Sequence, residues 1–505
     1  MNKHNGGRMV VTACAALLLW ATAAVALPAQ TLTTLYSFDG TNGALPTLVR
    51  AANGNFYGTT YAGGTNDLGT VFKITPDGVL TTLYSFCSQS ACTDGDYPSP
   101  FASLVQGTDG NFYGTTEAGG AFANCPNAAG CGTVFKITPS GTLTTLYRFC
   151  SESDCTDGQE PLANLIQGTD GVFYGTTYFG GAYISCNDVT GCGTIFKITS
   201  SGVLTTVFSF DNLDGGFPFG GLVQVANGDF YGTTEFGGAY MYGTVFKITP
   251  SGKLTTLHSF DLTDGDMVDA GLTQGADGNF YGTTFKGGGN TCDYGVGCGT
   301  VFKITPRGTL TTLHNFTGPL TDGEWPRGAL VLGTDGNLYG TTELGGSGGI
   351  GSGSGGTVFK ITPAGILTTV YSFCSQSDCT DGLGPVAALF QDVNGRFYGT
   401  TAYGGAYTSC NAGQGCGTLF NLSVGLSPFV KTQPTSGIVG MMVSILGTNL
   451  TGATKVTFHG VAAEFTVVSS SLVTTTVPTG ATTGAVKVVT PGGTLSSNEP
   501  FQVLP

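Results

Sequence analysis

Charge is scarce in this chain. Asp, Glu, Lys and Arg make up only 10% of its 505 residues, against about 25% in an ordinary soluble domain. Basic residues are the rarer sign, 18 against 32 acids, and the formal net charge is −14. A nucleic-acid partner needs clustered Lys and Arg against its phosphates, so it is excluded. Docking on anionic lipid is excluded for the same reason. After the apolar run from Met9 to Val25 no stretch approaches the 18 or so apolar residues of a membrane span. No transmembrane span is therefore expected in the mature chain. Glycine is plentiful at 84 residues, but without a strict Gly-X-Y period this is not collagen. With 40% hydrophobic residues and 11% aromatics it is not a disordered chain either. Glycine, threonine and aromatics together read as short strands joined by tight turns.

The N-terminus reads as a signal peptide over residues 1–26. Lys3 and Arg8 give a basic start, and Ala24-Val25-Ala26 fits small-x-small cleavage before Leu27. A secreted or cell-surface location is expected.

The dominant pattern is a repeat. Gly132-Thr133-Val134-Phe135-Lys136-Ile137-Thr138 has counterparts starting at Gly69, Gly193, Gly243, Gly299, Gly356 and Gly417. A fixed motif recurring every 20–50 or so residues marks a repeat architecture. Each unit offers four strands. In the second they are Phe101 to Gln106, Asn111 to Thr116, Gly132 to Thr138 and Leu143 to Phe149. Asp109-Gly110 supplies the hairpin turn between the first two, as Asn53-Gly54 and Asp335-Gly336 do elsewhere. The element Thr31 to Phe38 matches the fourth strand of the other units, and nothing like it follows the last copy, Gly417 to Ser423. One strand has moved from the end of the array to its start. That displacement suits a ring, where the first strand completes the last sheet and protects its edge. The expected fold is all-β: a seven-bladed β-propeller over residues 27–425, its N-terminal strand closing the last blade.

The complete unit, Asp-Gly-Asn-Phe-Tyr-Gly-Thr-Thr, a double glycine, then Gly-Thr-Val-Phe-Lys-Ile-Thr-Pro-x-Gly-x-Leu-Thr-Thr-Leu-Tyr-Ser-Phe, resembles the GloVer tandem repeat of bacterial surface proteins. The resemblance covers residues 31–423. It implies export and no defined activity. Beyond Pro428 the pattern Pro434-x-x-Gly437-x-x-Gly440, Ile445-x-Gly447-x-x-Leu450, Val456-x-Phe458-x-Gly460 resembles an IPT/TIG domain. This implies an immunoglobulin-like β-sandwich over residues 428–505, with Val473, Val477, Val486, Val488 and Phe501 alternating inward.

In a propeller the 2–3 and 4–1 connections share one face. Here they carry nearly all the irregular residues, so that face is the expected working face. Seven close cysteine pairs lie on it. Cys87/Cys92, Cys150/Cys155 and Cys374/Cys379 sit in 4–1 loops; Cys125/Cys131, Cys186/Cys192, Cys292/Cys298 and Cys410/Cys416 sit in 2–3 loops. In an exported chain an even count reads as disulfides. The 4–1 loop before Cys292/Cys298 has no cysteine, so these two have no obvious partner but each other. By analogy local pairing is expected throughout, and zinc in each cluster is the rejected rival. The aspartates Asp94, Asp157, Asp214, Asp264, Asp322 and Asp381 precede glycine in the 4–1 loops. They read as turn caps, with calcium kept as the alternative. No other cofactor or metal is expected.

One position varies inside an invariant frame. After Gly-Thr-Thr stand Tyr61, Glu117, Tyr178, Glu235, Phe285, Glu343 and Ala402. Acids among aromatics suit a neutral polyol or sugar, so the first six are the candidate ligand-binding residues. Repeated glutamines such as Gln106, Gln167 and Gln224 read as partners for inner-strand polar groups. No catalytic residue is assigned, because His258 and His314 replace a strand tyrosine and leave no histidine on the working face as a general base. The expected role is an exported binding or adhesion monomer, without catalysis, that meets a glycan or an extracellular protein at the disulfide-stapled face. The alternatives are a carbohydrate-active hydrolase or lyase using the working-face carboxylates, and a structural surface-layer module. Converging carboxylates within about 5–10 Å would favour the enzyme.

Overall fold

The structure is a computed structural model that describes residues 30–504 except 121–124, 126–129, 184–185, 187–190, 291, 293–294, 319–320, 348–354 and 411–412. The expected signal peptide lies outside the described residues. The fold is all-β, built from repeated four-stranded antiparallel sheets in a propeller-like arrangement. In the second unit, Val105–Gln106, Phe112–Thr116, Thr133–Ile137 and Leu143–Arg148 pair in sequence order. The first strand is shorter than its sequence pattern suggests. Only Val105 and Gln106 keep ladder geometry.

Alternation explains the packing. Phe112, Val134, Phe135 and Ile137 are fully buried, while Lys136 between them reaches solvent. Tyrosine on one second strand meets phenylalanine on the next: Tyr57 with Phe112 at 4.1 Å, Tyr113 with Phe173 at 3.9 Å and Tyr231 with Phe280 at 4.1 Å. Burying each such ring stabilises by roughly 1.5–3 kcal/mol, and ring pairing adds about 0.5–1.5 kcal/mol. The contacts also run from the last sheet to the first. Tyr398 packs on Phe56 at 4.8 Å, and Thr400 Oγ1 donates to the Pro46 carbonyl at 2.6 Å. Thr31–Ser37 pairs antiparallel with Thr418–Ser423. The displaced strand therefore completes the last sheet.

The glutamines act both within and between units: Gln106, Gln167 and Gln224 each donate to a carbonyl of their own hairpin, at Gly110, Gly171 and Gly228. Gln106 Oε1 accepts from the Ala52 amide of the preceding unit, Gln167 from Thr108 and Gln224 from Thr169. The double glycines are required where sheets and loops cross. Gly119 sits at φ +82°, and a Cβ there would lie 2.6 Å from the Gly95 Cα.

After Pro428 two further four-stranded sheets face each other. One contains Met442–Leu446 and Leu472–Thr476, the other Lys455–Phe458 and Val486–Thr490. Val473, Val477, Val486, Val488 and Phe501 all enter their common core, as the alternation predicts.

Candidate functional site

The mouth of the ring is built from backbone first. Each 4–1 loop brings a residue into the left-handed region three positions after its Asp or Asn: Leu45, Tyr97, Glu160, Phe217, Met267 and Trp325, with φ between 50° and 62°. Gly384 takes the same place in the last unit at φ +64°. Glycine would adopt this conformation freely, whereas each other residue costs about 1–2 kcal/mol. Six side chains are thus held at the mouth against local strain, which points to a function for them. Their carbonyls accept from the amides of the variable position: Glu117 on Tyr97, Tyr178 on Glu160, Glu235 on Phe217, Phe285 on Met267 and Glu343 on Trp325. Two concentric rings of variable residues result.

The rings interlock with an offset of one unit. Tyr61 stacks on Tyr97 at 5.0 Å, Tyr178 on Phe217 at 5.2 Å, and Phe285 meets Trp325 at 5.3 Å. Glu117 faces Glu160 in the same register, and the two repel. The six residues expected at a pocket fall in two neighbourhoods, and none of them lines the cavity described below. Tyr61 and Glu117 lie on one side with Tyr97 and Glu160. Tyr178, Glu235, Phe285 and Glu343 converge on the other.

That second neighbourhood centres on two residues that sequence reading missed, Asp269 and Arg327. Arg327 Nε donates to Glu343 Oε2 at 2.7 Å, and its Nη1 donates to Asp269 Oδ2 at 3.2 Å. Its guanidinium lies over the Phe285 ring at 3.9 Å, a favourable cation–π contact. The Tyr178 hydroxyl donates to Glu235 Oε2 at 2.7 Å. Asp269 is only 6% exposed, and its Oδ1 is buried with no hydrogen-bond partner. Trp325 Nε1 is a buried donor in the same condition.

Asp269 and Arg327 line a cavity of about 190 Å³ on the axis, together with Phe101, Asn164, Phe219 and Val386. Phe101 meets Phe219 edge-on at 4.9 Å, and Arg327 lies 5.7 Å from its ring. These three come from the second, fourth and sixth units and meet across the axis, so the cavity is a cup on the ring's centre. Phe101 reaches that far through a local insertion. Five positions separate Glu160 from Leu165 and Phe217 from Leu222, but seven separate Tyr97 from Leu104.

The electrostatics of the cup are unusual. Burial pushes the Asp269 carboxyl up to about 8, and Glu235 and Glu343 add to the rise against the opposing Arg327 and Lys286. Burial also raises Glu235, opposed by the Tyr178 hydrogen bond and by Arg327. Glu160 is raised by burial and by Glu117 to about 7, and Glu117 by burial. Asp269 thus keeps its proton near neutral pH beside other acids, an arrangement that concentrates at functional sites.

All seven local cysteine pairs are disulfides. They are Cys87–Cys92, Cys125–Cys131, Cys150–Cys155, Cys186–Cys192, Cys292–Cys298, Cys374–Cys379 and Cys410–Cys416. Several of these cysteines also serve the scaffold: Cys131, Cys192, Cys298 and Cys416 are fully buried, and the carbonyls of Cys155, Cys192 and Cys379 accept from loop amides. Cys192 is fully buried in the core with Tyr174 and Phe210, and its carbonyl accepts from the Phe217 amide. Cys155 is buried against the neighbouring core at the end of the 3₁₀ turn Ser153–Cys155. Its carbonyl accepts from the Gly158 and Gly181 amides, so it ties the 4–1 loop to the double glycine. Cys379 ends the matching turn Ser377–Cys379, and its carbonyl accepts from Gly382 and Gly405 in the same way. The physical reason is that an amide donor pointing inward must be met by a carbonyl, and these cysteines supply it.

The 4–1 aspartates behave as turn caps. Asp94 accepts from the Ser88 and Gln89 amides and from the Tyr84 hydroxyl. His258 and His314 stand in fourth strands and pack edge-on against Phe260 at 5.0 Å and Phe316 at 5.2 Å, as expected, and each also bonds a loop aspartate. His258 Nε2 lies 2.7 Å from Asp264 and His314 Nε2 lies 2.6 Å from Asp322, both in 4–1 loops. They take the place of the Tyr84–Asp94 and Tyr147–Asp157 pairs at the outer rim. Burial alone would raise Asp322, but hydrogen bonds from His314 and Thr317 outweigh it and bring it down to about 2. The resulting stabilisation is present above the ordinary carboxylate range and is lost as pH falls toward about 2. His314→Ala is expected to cost about 1–2 kcal/mol at pH 7, whereas His314→Tyr restores the pairing of the other units and costs little. Urea unfolding of both variants checks this.

Residues 23–183, 126–296 and 293–464 match the family model described as Gloeobacter/Verrucomicrobia repeat. Residues 428–503 match the IPT/TIG domain. No curated protein matches the chain. Among solved structures, a fungal alcohol oxidase in complex with copper is 12% identical over 94% of this chain and 99% of its own, with a TM-score of 0.48. A putative 6-phosphogluconolactonase from Bacteroides uniformis is 14% identical over 70% and 88%, with a TM-score of 0.42. A putative glucose dehydrogenase from Thermus thermophilus is 14% identical over 78% and 100%, with a TM-score of 0.36. These neighbours are enzymes. The expectation of a binding or adhesion protein without catalysis is corrected on that finding, and the alternative of an enzyme using working-face carboxylates is the better backed. At such scores no activity passes from them to this chain.

Proposed function

From a chain that belongs to the Gloeobacter/Verrucomicrobia repeat family and carries an IPT/TIG domain, we infer an exported carbohydrate-active hydrolase whose mouth carboxylates run the reaction. We take the scaffold as a seven-bladed propeller over residues 27–425, preceded by a signal peptide and followed by an immunoglobulin-like sandwich over residues 428–505. Seven disulfides suit an oxidising, extracytoplasmic compartment.

The observation that carries this reading is Asp269. A buried carboxyl that keeps its proton at neutral pH is a general acid by construction. It donates that proton to the leaving oxygen as the glycosidic C–O bond breaks. Glu235, oriented by the Tyr178 hydroxyl, takes a proton from the water that bonds to the sugar carbon. Its raised pKa makes it a better base than an exposed glutamate. Arg327 holds Asp269 and Glu343 in place. Tyr61 and Tyr178 offer aromatic surface and hydroxyls to the sugar. A cavity of about 190 Å³ is smaller than the roughly 300–1,000 Å³ of a pocket for a drug-sized ligand, so it takes a terminal unit rather than a whole chain.

The test is the release of reducing ends from a panel of oligosaccharides. The protein is expected to release them and Asp269→Asn is not. No release from any member of the panel, or equal release by the variant, overturns the reading.

A further inference from the structure

The cup on the axis is polar on one side and apolar on the other. Asp269 lines it from the fifth unit and Arg327 from the sixth. Phe101, Phe219 and Val386 line it from the second, fourth and seventh. Asn164 and Ser103 are the other polar side chains on its wall. The charge of Arg327 is already met, because its Nε donates to Glu343 at 2.7 Å and its Nη1 to Asp269 Oδ2 at 3.2 Å. An anion entering the cup would gain little from a guanidinium held by two acids, and a cation would face that guanidinium. A neutral ligand fits. Asp269 supplies its anchor, being only 6% exposed with an Oδ1 that is buried and has no hydrogen-bond partner. Such an atom costs free energy until a ligand or water satisfies it. A hydroxyl both donates and accepts, so it meets this oxygen whether or not the carboxyl holds its proton. The apolar side asks for the opposite. A hydroxyl against Phe101, Phe219 and Val386 would give up water without gaining a partner, whereas a methyl group there buries apolar surface.

We propose that the terminal unit taken by the cup is a 6-deoxyhexose, a neutral pyranose whose hydroxyls meet Asp269 Oδ1 and Asn164 and whose C6 methyl group lies against Phe101, Phe219 and Val386. This rests on the hydrolase reading, in which the cup holds a terminal sugar, and it names the class of that sugar. The parent hexose differs by one C6 hydroxyl, which meets the apolar side unpaired. A pentose lacks C6 and leaves that side unfilled. A uronate puts a carboxylate there, at a still larger desolvation cost.

The test is calorimetry of the full chain with three pairs of free monosaccharides: L-fucose and L-galactose, L-rhamnose and L-mannose, 6-deoxy-D-glucose and D-glucose. They have no glycosidic bond to cleave, so the result is independent of turnover. At least one 6-deoxyhexose is expected to bind at least about tenfold more tightly than its parent hexose, the usual reach of an apolar pocket against an added hydroxyl. Val386→Thr keeps the shape of the wall and sets a hydroxyl on its apolar side, so it is expected to shrink that preference. Asp269→Asn is expected to weaken both members of the preferred pair. Circular dichroism checks that both variants are folded. Equal binding within every pair, preference for a parent hexose, no binding of any of the six, or a preference that neither folded variant alters overturns the proposal. Reducing-end release from the oligosaccharide panel is read separately. Release without a 6-deoxyhexose preference overturns this proposal alone, and the preference without release overturns the hydrolase reading alone.

Discussion

Replacing Asp269 by asparagine is expected to lower turnover by about 10²–10⁴-fold, the usual worth of a positioned general acid. The amide is nearly isosteric and keeps an acceptor for Arg327 Nη1, so the fold is expected to persist. The pH profile separates a lost acid from a damaged site. Burial holds the Asp269 carboxyl up at about 8, so the wild-type rate is expected to fall as pH rises through that value. The residual rate of the variant lacks that limb. Stability should follow the same group. The folded pKa of Asp269 lies above the ordinary carboxylate value, so its contribution is fully present below about pH 4 and is lost as pH rises through about 8. Between pH 5 and pH 9 the wild type is expected to lose stability on the order of a few kcal/mol, and Asp269→Asn much less. Measuring kcat against pH, and urea unfolding at the two pH values, checks both halves. An unchanged alkaline limb in the variant would remove Asp269 from the role.

A chain that begins at Gly40, lacking the first strand, is expected to lose several kcal/mol of stability and to self-associate. Thr31–Ser37 pairs along the whole of Thr418–Ser423. Leu32, Leu35 and Tyr36 pack against the first and last cores, and Phe38 is fully buried. Burial of such side chains stabilises by roughly 1.5–3 kcal/mol each. Their removal leaves the last sheet with an open, apolar edge, a template for pairing with another copy. Size-exclusion chromatography and thermal unfolding read the two effects. Adding a peptide of residues 27–40 is expected to reverse both. A monomer of unchanged stability would show that the strand is not what completes the last sheet.

Much of this architecture was legible because identical units repeat the same alternation. The Gly-Thr-Val-Phe strands, the Asp-Gly hairpins and the displaced Thr31–Ser37 element all sit where their periodicity places them. Local cysteine pairing was legible because one pair had no other cysteine within reach. The bonds from loop amides to the Cys155, Cys192 and Cys379 carbonyls were not, because they depend on how each loop closes in space. The variable residues after Gly-Thr-Thr were legible as one recurring position by their fixed frame. Asp269 and Arg327 were not, because they stand in the loosely patterned entry to the first strand, where units differ in length. Aligning the units from Pro161, Pro218 and Pro326 would have exposed them as an acid and a base at positions held by Leu162 and Phe219 elsewhere. The inner ring of Tyr97, Glu160 and Trp325 was hidden for another reason. Its signal is a left-handed backbone, which composition does not report. Phe101 needed the two-residue insertion to be noticed. His258 and His314 stand and pack where the tyrosine-like pattern puts them, but their bonds to loop aspartates were not legible, because pairing of the tyrosines they replace with those aspartates shows only in space.

The protonation state of Asp269 is the most direct test of the hydrolase reading. Infrared difference spectroscopy of the wild type against Asp269→Asn, taken across pH 5 to pH 10, isolates its carboxyl band. A protonated carboxyl is predicted at pH 7, disappearing with a midpoint near 8. A carboxylate already ionised at pH 5 would contradict that prediction, and with it the general acid on which the hydrolase reading stands.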